Sequence, residues 1–274
     1  MVIIFVFIII LFVIWTLTPV IWMILSSFKS QIDMLNPYQL IFEPTLRNYE
    51  ALFLNGGGIY RLINSLIAAG VSTAISILFG SMAGYGLSRI KLPRAVKSNL
   101  SFWILSTRMA PIVAVLIPLF IIFTSIGLVG GYIKSIVGLI VGYITFDLSF
   151  STWMFKDSFD DLDKSFEEAA LVDGCNHFST FWKIVLPLIR PSIVSISVLC
   201  FMFSWNDYIF ASILTTPASM TLPVLAFSFT GGQAGIDWGQ VMAVGSLASI
   251  PVILLGIFAR KNLVGGLTMG GVKQ

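Results

Sequence analysis

Charged residues are scarce in this chain. Asp, Glu, Lys and Arg make up 11% of its 274 residues, whereas hydrophobic residues make up 57%. Globular domains carry about 25% charged residues, and the core of a soluble domain of this length cannot bury so much apolar surface. The mean hydropathy of +0.95 supports the same interpretation. Composition therefore excludes an ordinary soluble domain and indicates a membrane protein.

The chain also has little excess positive charge and few cysteine and histidine residues. The formal net charge is only +3 and the Lys and Arg residues form no dense patch, which argues against nucleic-acid binding. Cys175 falls in a polar loop and Cys200 in an apolar run, so neither a disulfide framework nor a metal cluster is predicted. The single histidine, His177, is expected to be a turn or docking residue, not a catalyst or a ligand.

Two classes of motif are missing from the sequence. A phosphate-binding loop of the form G-x-x-x-x-G-K-[ST] does not occur, so the chain is not expected to hydrolyse ATP. Clustered nucleophiles, bases or metal ligands at membrane depth, which an integral membrane enzyme needs, are not visible either. We therefore predict no catalytic residues, no metal site and no cofactor bound by this chain.

Long apolar runs, in contrast, are abundant. A helix rises about 1.5 Å per residue and the hydrocarbon core of a bilayer is about 30 Å thick, so a span needs roughly 20 apolar residues. Six runs meet this length, at residues 2–26, 62–87, 100–124, 135–155, 192–214 and 241–259. The first has neither a basic leader nor a small-residue cleavage site, so it is expected to remain as a span. We predict an all-α, polytopic membrane protein with six transmembrane helices and one transmembrane domain over residues 1–274.

Basic residues are distributed unevenly between the two sides of the predicted spans. Cytoplasmic loops collect Lys and Arg, and one set of alternate connections holds eleven of the sixteen basic residues. They are Arg89, Lys91, Arg94, Lys97, Lys156, Lys164, Lys183, Arg190, Arg260, Lys261 and Lys273, whereas the opposite side holds Lys29, Arg47, Arg61 and Lys134. Both termini are therefore predicted to be cytoplasmic, with long outside loops at 28–60 and 215–240.

Small residues recur at helical spacing inside the predicted spans. Gly80 with Gly84, and Gly138 with Gly142, have the small-x-x-x-small spacing that lets helix backbones approach closely in lipid. We therefore predict tight helix contacts at both glycine pairs.

The polar connection at about 156–190 is predicted to contain two short helices. Ser165 and Glu168 have the spacing of a capping box, which favours a helix start at Ser165. That helix is expected to stop at Asp173 and Gly174, because glycine adopts the left-handed conformation that ends many helices.

A second helix is expected after the turn. It would begin at Asn176 and continue until Pro187 interrupts its backbone hydrogen bonds. Its apolar side chains would lie mainly on one side, and they are Phe178, Phe181, Trp182, Val185 and Leu186. The two helices, residues 165–187, would form a helix-turn-helix elbow under the membrane.

Seven residues of this loop match the pattern of one protein family. The sequence Glu168-Ala169-Ala170 is followed at fixed gaps by Gly174, Ile184, Leu186 and Pro187. This pattern resembles the EAA loop of permease subunits in binding-protein-dependent ABC importers. The resemblance extends along nearly the whole chain and points to the G-type subunit of maltose and related carbohydrate importers. Asp147 and the pair Phe159-Asp160 depart from the family's usual residues, which leaves the transporter class intact and the exact substrate open.

The resemblance implies an ABC type I importer permease fold in a bacterial cytoplasmic (inner) membrane, surrounded by lipid. It implies a second permease subunit, two ATPase subunits that bind ATP and Mg, and an extracytoplasmic solute-binding protein. The solute would be a sugar or an oligosaccharide, with a polyol, glycerol phosphate or another small solute as the alternative. The elbow would be the part that docks on an ATPase subunit, and its coupling residues would be Ser165, Glu168, Ala169, Ala170, Asp173, Gly174, Ile184, Leu186 and Pro187.

A secondary transporter is the alternative from a different class. Such transporters often show paired interrupted helices in two repeated halves, and no convincing repeat is visible in this sequence. The elbow would also have no purpose in a secondary transporter.

Three charged residues fall within or near the ends of predicted spans. They are Arg108, Asp147 and Asp207. Because a charge at the centre of a span costs about 2.5–3.5 kcal/mol on insertion scales, each is expected to face a partner or a water-filled cavity. Arg108 could instead pair with a carboxylate or cap a broken helix near Pro111, and Asp207 could lie at the outer interface.

Polar and aromatic residues adjoin the last of these charges. Trp205 and Tyr208 could offer flat faces to a sugar ring, while Asn206 and Asp207 could bind hydroxyl groups. Aromatic residues near an interface are more often members of an aromatic belt. The candidate solute path is therefore Arg108, Asp147, Trp205, Asn206, Asp207 and Tyr208.

Overall fold

The computed structural model of the chain describes residues 2–36, 38–231 and 235–268. The regular elements in these ranges are helices, so the all-α prediction is confirmed. The longer helices are α1 (Val2–Ser27), α2 (Gly58–Arg89), α3 (Arg94–Met109), α4 (Ile112–Ser125), α5 (Tyr132–Asp160), α6 (Ser165–Val172), α7 (His177–Leu188), α8 (Arg190–Trp205), α9 (Ile209–Leu214), α10 (Leu222–Ser228) and α11 (Trp238–Thr268). Short helical segments also lie at Gln31–Met34 and at Arg47–Glu50, which continues into a π-helical turn at Ala51–Asn55. Lys273, one of the predicted cytoplasmic basic residues, lies outside the described residues, as do the side chains of Arg94 and Lys261.

Four helices in the described residues are long and apolar enough to cross a membrane without a break, namely α1, α2, α5 and α11. The number rises to as many as six if each of two bent helix pairs is one span. The third predicted run is one of these pairs, because α3 and α4 meet at an angle of 84°. Ala110 is extended there, with ψ of 138°, as the residue before a proline prefers.

The fifth predicted run, 192–214, is also not continuous. Helix α8 ends at Trp205 and α9 begins at Ile209. The carboxylate of Asp207 accepts from the backbone N–H groups of Phe210 and Ala211 at 3.4 and 3.1 Å. These are hydrogen bonds that a helix-capping side chain makes. The prediction of one helix is therefore wrong, because the side chain of Asp207 starts a new one.

The described structure divides into two compact units. One comprises the described residues within 1–65 and 219–253, and the other comprises those within 66–218 and 254–268. The single transmembrane domain over residues 1–274 stays a prediction.

In the first unit, two asparagine side chains connect distant segments. The side-chain amide of Asn48 donates to the backbone oxygens of Ser27 and Lys29 at 2.8 and 2.9 Å. That of Asn64 donates to the backbone oxygen of Met220 at 3.0 Å. These bonds attach the two long predicted outside loops to the ends of α1 and α2.

In the second unit, small residues let α2 approach α5. A Cβ atom on Gly80 would collide with the side chain of Ser151, and one on Gly84 would lie 2.7 Å from Cβ of Phe155 and 2.8 Å from the backbone nitrogen of Lys156. Real Cβ atoms do not come this close, so the backbones meet where glycine allows them to. The predicted tight contact at this glycine pair is confirmed.

The second glycine pair packs differently. A Cβ atom on Gly138 would lie 2.5 Å from the backbone oxygen of Leu128, and one on Gly142 would lie 3.1 Å from the ring of Phe210. The predicted helix contact is therefore confirmed at Gly142 and is wrong for Gly138, whose close contact is with a loop. The contacts of Gly138 and Gly142 are made with the loop before α5 and with α9.

An apolar cluster in the second unit joins α5 to α7 and α8. Its buried members are Phe155, Phe159, Phe181, Val185, Ile189, Ile196 and Cys200. Because α7 contributes Phe181 and Val185, the second helix of the elbow is part of the apolar core of the second unit.

We expect Gly84→Ala to lower the free energy of unfolding by about 1–3 kcal/mol, because the added methyl group overpacks a backbone contact. Gly86→Ala on the same helix is the control, since its Cβ would meet no atom of the described residues within 4 Å. The free energy of unfolding of this control should equal or slightly exceed that of the wild type, because alanine favours helix more than glycine does. Denaturant unfolding of the purified chain in detergent micelles measures both, and equal stability of the two variants would contradict the packing.

Candidate functional site

The first helix of the elbow, α6, begins in a different way from the predicted capping box. Ser165 is its first residue and not its N-cap. The side chain of Asp163 accepts from the backbone N–H of Ser165 at 2.9 Å, and this bond lowers the pKa of Asp163. Glu168 is exposed. The capping-box prediction is wrong because an aspartate two residues before the helix supplies the acceptor.

The end of α6 lies where the sequence predicts it. Gly174 has φ of +88°, and Asp173 is the C-cap residue of α6. The N–H of Cys175 donates to the backbone oxygen of Ala170 at 3.0 Å, and that of Gly174 donates to Leu171 at 3.1 Å. This pair of bonds is a Schellman motif, for which glycine is preferred.

The second helix of the elbow, α7, begins as predicted and ends later. The side-chain oxygen of Asn176 accepts from the backbone N–H of Ser179 at 2.7 Å. The helix continues past Pro187 to Leu188. The residues before the proline, Phe181–Val185, form a π-helical turn. This wider turn lets the helix pass a residue that lacks an N–H and whose ring crowds the preceding turn.

The apolar side chains of α7 lie on two faces, not one. Phe181 and Val185 are buried in the apolar cluster, whereas Phe178 and Trp182 are exposed on the other side. The two exposed rings lie 6.1 Å apart between centres and form a surface that is suited to a protein partner.

The motif residues of α6 and α7 are divided in the same way. Ala170 is buried, and Ile184 and Leu186 are half-buried, with Leu186 packed against the apolar cluster. The exposed residues are Ser165, Glu168, Ala169, Asp173, Gly174 and Pro187.

Glu167, which is not one of the predicted coupling residues, holds α6 to the end of α2. Its carboxylate accepts from Nε of Arg89 at 2.7 Å and from the hydroxyl of Tyr85 at 2.9 Å. The sequence signals that could have pointed to this contact are a basic residue at the end of the second apolar run and an acidic residue next to the motif.

A second polar site lies among the helices of the second unit. A cavity of about 200 Å³ is lined by Arg108, Tyr143, Asp147, Ser204 and Asp207, with apolar walls from Ile112, Phe146, Phe203 and Phe210. Three of the six candidate solute-path residues therefore line the same cavity, and two polar residues join them.

Arg108 and Asp147 form an ion pair in this cavity. Their side chains are 3.6 Å apart, and the guanidinium lies 4.0 Å from the ring centre of Phe203. Asp147 is 2% exposed and accepts from the hydroxyl of Ser204 at 2.6 Å. Pairing and hydrogen bonding are what a charge buried this deeply requires. The alternative in which Arg108 pairs with a carboxylate is confirmed.

Asp207 has structural contacts as well as a face in the cavity. Besides capping α9, it accepts from the hydroxyl of Tyr143 at 3.2 Å. Tyr143 precedes Asp147 by four residues on α5, so both side chains point into the cavity from one helix face. This spacing is the signal by which the sequence could have found Tyr143.

The remaining candidates do not line the cavity. Trp205 is buried and stacks on Phe201 with 5.5 Å between ring centres. Asn206 is exposed and donates to the backbone oxygen of Met202 at 2.8 Å. Tyr208 is half-buried. A contact of these three residues with solute stays a prediction.

Comparison with known proteins gives one consistent result. Residues 76–268 match the model of the family described as the inner membrane component of binding-protein-dependent transport systems. An inner membrane ABC transporter permease protein of Escherichia coli (strain K12), YcjP, is 33% identical over 96% of this chain and 93% of its own length. The trehalose/maltose transport system permease protein MalG of Thermococcus litoralis is 31% identical over 96% of this chain and 94% of its own length.

A solved structure has the same fold. It is a crystal structure of a bacterial ABC transporter involved in the import of the acidic polysaccharide alginate. One of its chains aligns with a TM-score of 0.76 and 22% identity, over 94% of this chain and 95% of that chain. The alignment extends over both compact units of the chain.

Proposed function

Because the chain belongs to the family of inner membrane components of binding-protein-dependent transport systems, we propose that it forms half of the solute pathway of a sugar importer. The elbow carries this proposal. It exposes Glu168, Ala169, Phe178 and Trp182 at a defined turn while Phe181 is fixed in the core. A rigid exposed turn of this kind can receive movement from a partner and pass it to the helices.

The elbow would face the cytoplasm. The asymmetry in basic residues supports this side, because the connections on the elbow's side of the predicted spans carry eleven of the sixteen lysines and arginines. Both termini would then be cytoplasmic, and the loops at 28–60 and 215–240 would face outside.

The partners would be a second permease subunit, two ATPase subunits and an extracytoplasmic solute-binding protein. The sequence has no phosphate-binding loop, which supports ATP and Mg being bound by the ATPase subunits. Most side chains of α1 are exposed and apolar, a surface suited to lipid or to the second permease.

The solute would be a sugar or an oligosaccharide. The cavity combines hydroxyl and carboxylate groups with the rings of Phe146 and Phe203, and such a lining suits a sugar's hydroxyl groups and its apolar ring face. The trehalose/maltose relative supports the same class. A polyol or glycerol phosphate is the second candidate, because a cavity of this size also holds a smaller solute.

The proposal is tested by purifying the tagged chain from its native membranes and reconstituting the complex in vesicles. We expect ATPase subunits and a second permease to co-purify, and uptake of labelled sugars or polyols to require ATP and the binding protein. The chain alone should not hydrolyse ATP. Uptake driven by an ion gradient without ATP would instead support a secondary transporter.

We expect Gly174→Val to weaken docking of the ATPase subunits, because a β-branched residue resists the positive φ at a cost of about 1–3 kcal/mol. Space is not the cause, since a Cβ atom at this position meets no atom of the described residues within 4 Å. Gly174→Asn is the matched control, as asparagine tolerates this conformation better. Normal assembly and normal solute-stimulated hydrolysis in the valine variant would contradict the proposed role of the turn.

We expect Asp207→Asn to change uptake of the native solute by about tenfold or to change its selectivity, because it weakens a charged hydrogen-bond acceptor in the cavity. Asn206→Ala is measured beside it, and normal uptake in that variant would remove Asn206, which lies outside the cavity, from the predicted solute path. Uptake and basal hydrolysis are compared at matched expression. Normal uptake and selectivity in Asp207→Asn would remove Asp207 from the solute path.

A further inference from the structure

The two helices of the elbow are attached to the rest of the second unit by different kinds of contact. Helix α7 is attached through Phe181 and Val185, which lie in the apolar cluster. The buried side chains of α6 are Glu167 and Ala170. Because alanine offers only one methyl group, the contact from α6 to α2 that the described structure shows is made by the hydrogen bonds of Glu167.

Glu167 is held by three hydrogen-bond donors from the end of α2. Arg89 donates to its Oε1 from Nε and from Nη2, and Tyr85 donates to its Oε2. The side chains of Arg89 and Glu167 are only 16% and 12% exposed. Both carboxylate oxygens are therefore used, in a largely buried setting where such bonds are stronger than at a surface.

Arg89 also connects to α5. Its Nη1 donates to the backbone oxygen of Phe159 at 2.9 Å, near the end of that helix. Next to it, the hydroxyl of Ser88 donates to Asp160 at 2.5 Å. One guanidinium thus joins the ends of α2 and α5 to the first helix of the elbow.

We propose that Glu167, held by Arg89 and Tyr85, is a positioning residue that passes movement of α6 to α2 and α5. We call this three-residue contact the clasp. It rests on the proposed function, in which α6 lies against an ATPase subunit, and it assigns a task to a residue outside the family pattern. The neighbouring Glu168 is exposed and stays available to the partner.

The chemistry of the clasp suits this task. Apolar contacts can slide with little change in free energy, whereas three directed hydrogen bonds hold one carboxylate in one orientation. The planar guanidinium can donate to Glu167 and to Phe159 at once, which a lysine ammonium on a flexible stem does not reproduce. Movement of α6 would therefore move the ends of both spans with it.

A purely structural role of the clasp predicts a different result. If the clasp only stabilises the fold, its loss lowers the yield and the melting temperature, and transport and hydrolysis fall together. If it transmits movement, hydrolysis continues while transport is lost. The informative readout is the ratio of solute transported to ATP hydrolysed.

The experiment compares this ratio in reconstituted complexes of Glu167→Gln, Arg89→Lys and Tyr85→Phe. We expect it to fall about fivefold or more in Glu167→Gln and Arg89→Lys, as loss of charge-assisted hydrogen bonds predicts. Tyr85→Phe removes a single hydroxyl and keeps the ring in place, so a smaller fall is expected. It is the variant least expected to disturb folding.

Two controls make the test specific. Asp157→Asn removes an ion pair of 3.4 Å with Lys156 that joins two residues of the same helix, and it should leave the ratio unchanged. The single variant Arg89→Glu should lower the ratio of solute transported to ATP hydrolysed. The double variant with Arg89→Glu and Glu167→Arg, which exchanges the two charges, should recover part of that loss.

The outcomes separate the clasp from the proposed function. An unchanged ratio in Glu167→Gln and Arg89→Lys, beside a wild-type complex that responds to solute, would overturn the clasp and leave the proposed function standing. A wild-type chain that binds no ATPase subunit would overturn the proposed function and the clasp with it. A lower ratio that the exchanged pair partly restores supports the clasp.

Discussion

A chain that crosses hydrocarbon must satisfy its backbone hydrogen bonds within the protein, because lipid offers neither donors nor acceptors. This constraint explains why the apolar runs are helical, and it explains what happens where a helix is interrupted. Asp207 accepts from backbone N–H groups at the start of α9. Arg89 donates to the backbone oxygen of Phe159 near the end of α5, and Lys97 donates to that of Ser88 near the end of α2. Charged side chains thus replace the missing helical partners.

The same charged residues form the two polar sites of the second unit. Helix α5 contributes to both, with Tyr143 and Asp147 in the cavity and Phe159 and Asp160 in the contacts around Arg89. In the proposed function one site faces solute and the other faces the elbow. A single helix that takes part in both is a direct physical connection between them, although coupling itself is measured and not inferred from proximity.

Much of the elbow was predictable because its signals are local. Gly174 ends α6 through its own backbone conformation, and Asn176 starts α7 through an acceptor three residues away. The capping-box prediction was wrong for an equally local reason, because Asp163, and not Glu168, accepts from the backbone N–H of Ser165. The extent of α7 beyond Pro187 was less accessible, because a π-helical turn depends on how the whole helix packs.

By itself, the sequence determined that the protein is helical and membrane-spanning, which parts are long enough to cross, and where the elbow turns. These properties depend on residues within a few positions of one another or on the length of an apolar run. Only the tertiary structure decided which charges meet. Glu167 lies 78 positions from Arg89, and Asp147, not Asp207, pairs with Arg108. Such pairs are set by how the helices pack, and a buried charge accepts whichever partner that packing brings within hydrogen-bonding distance.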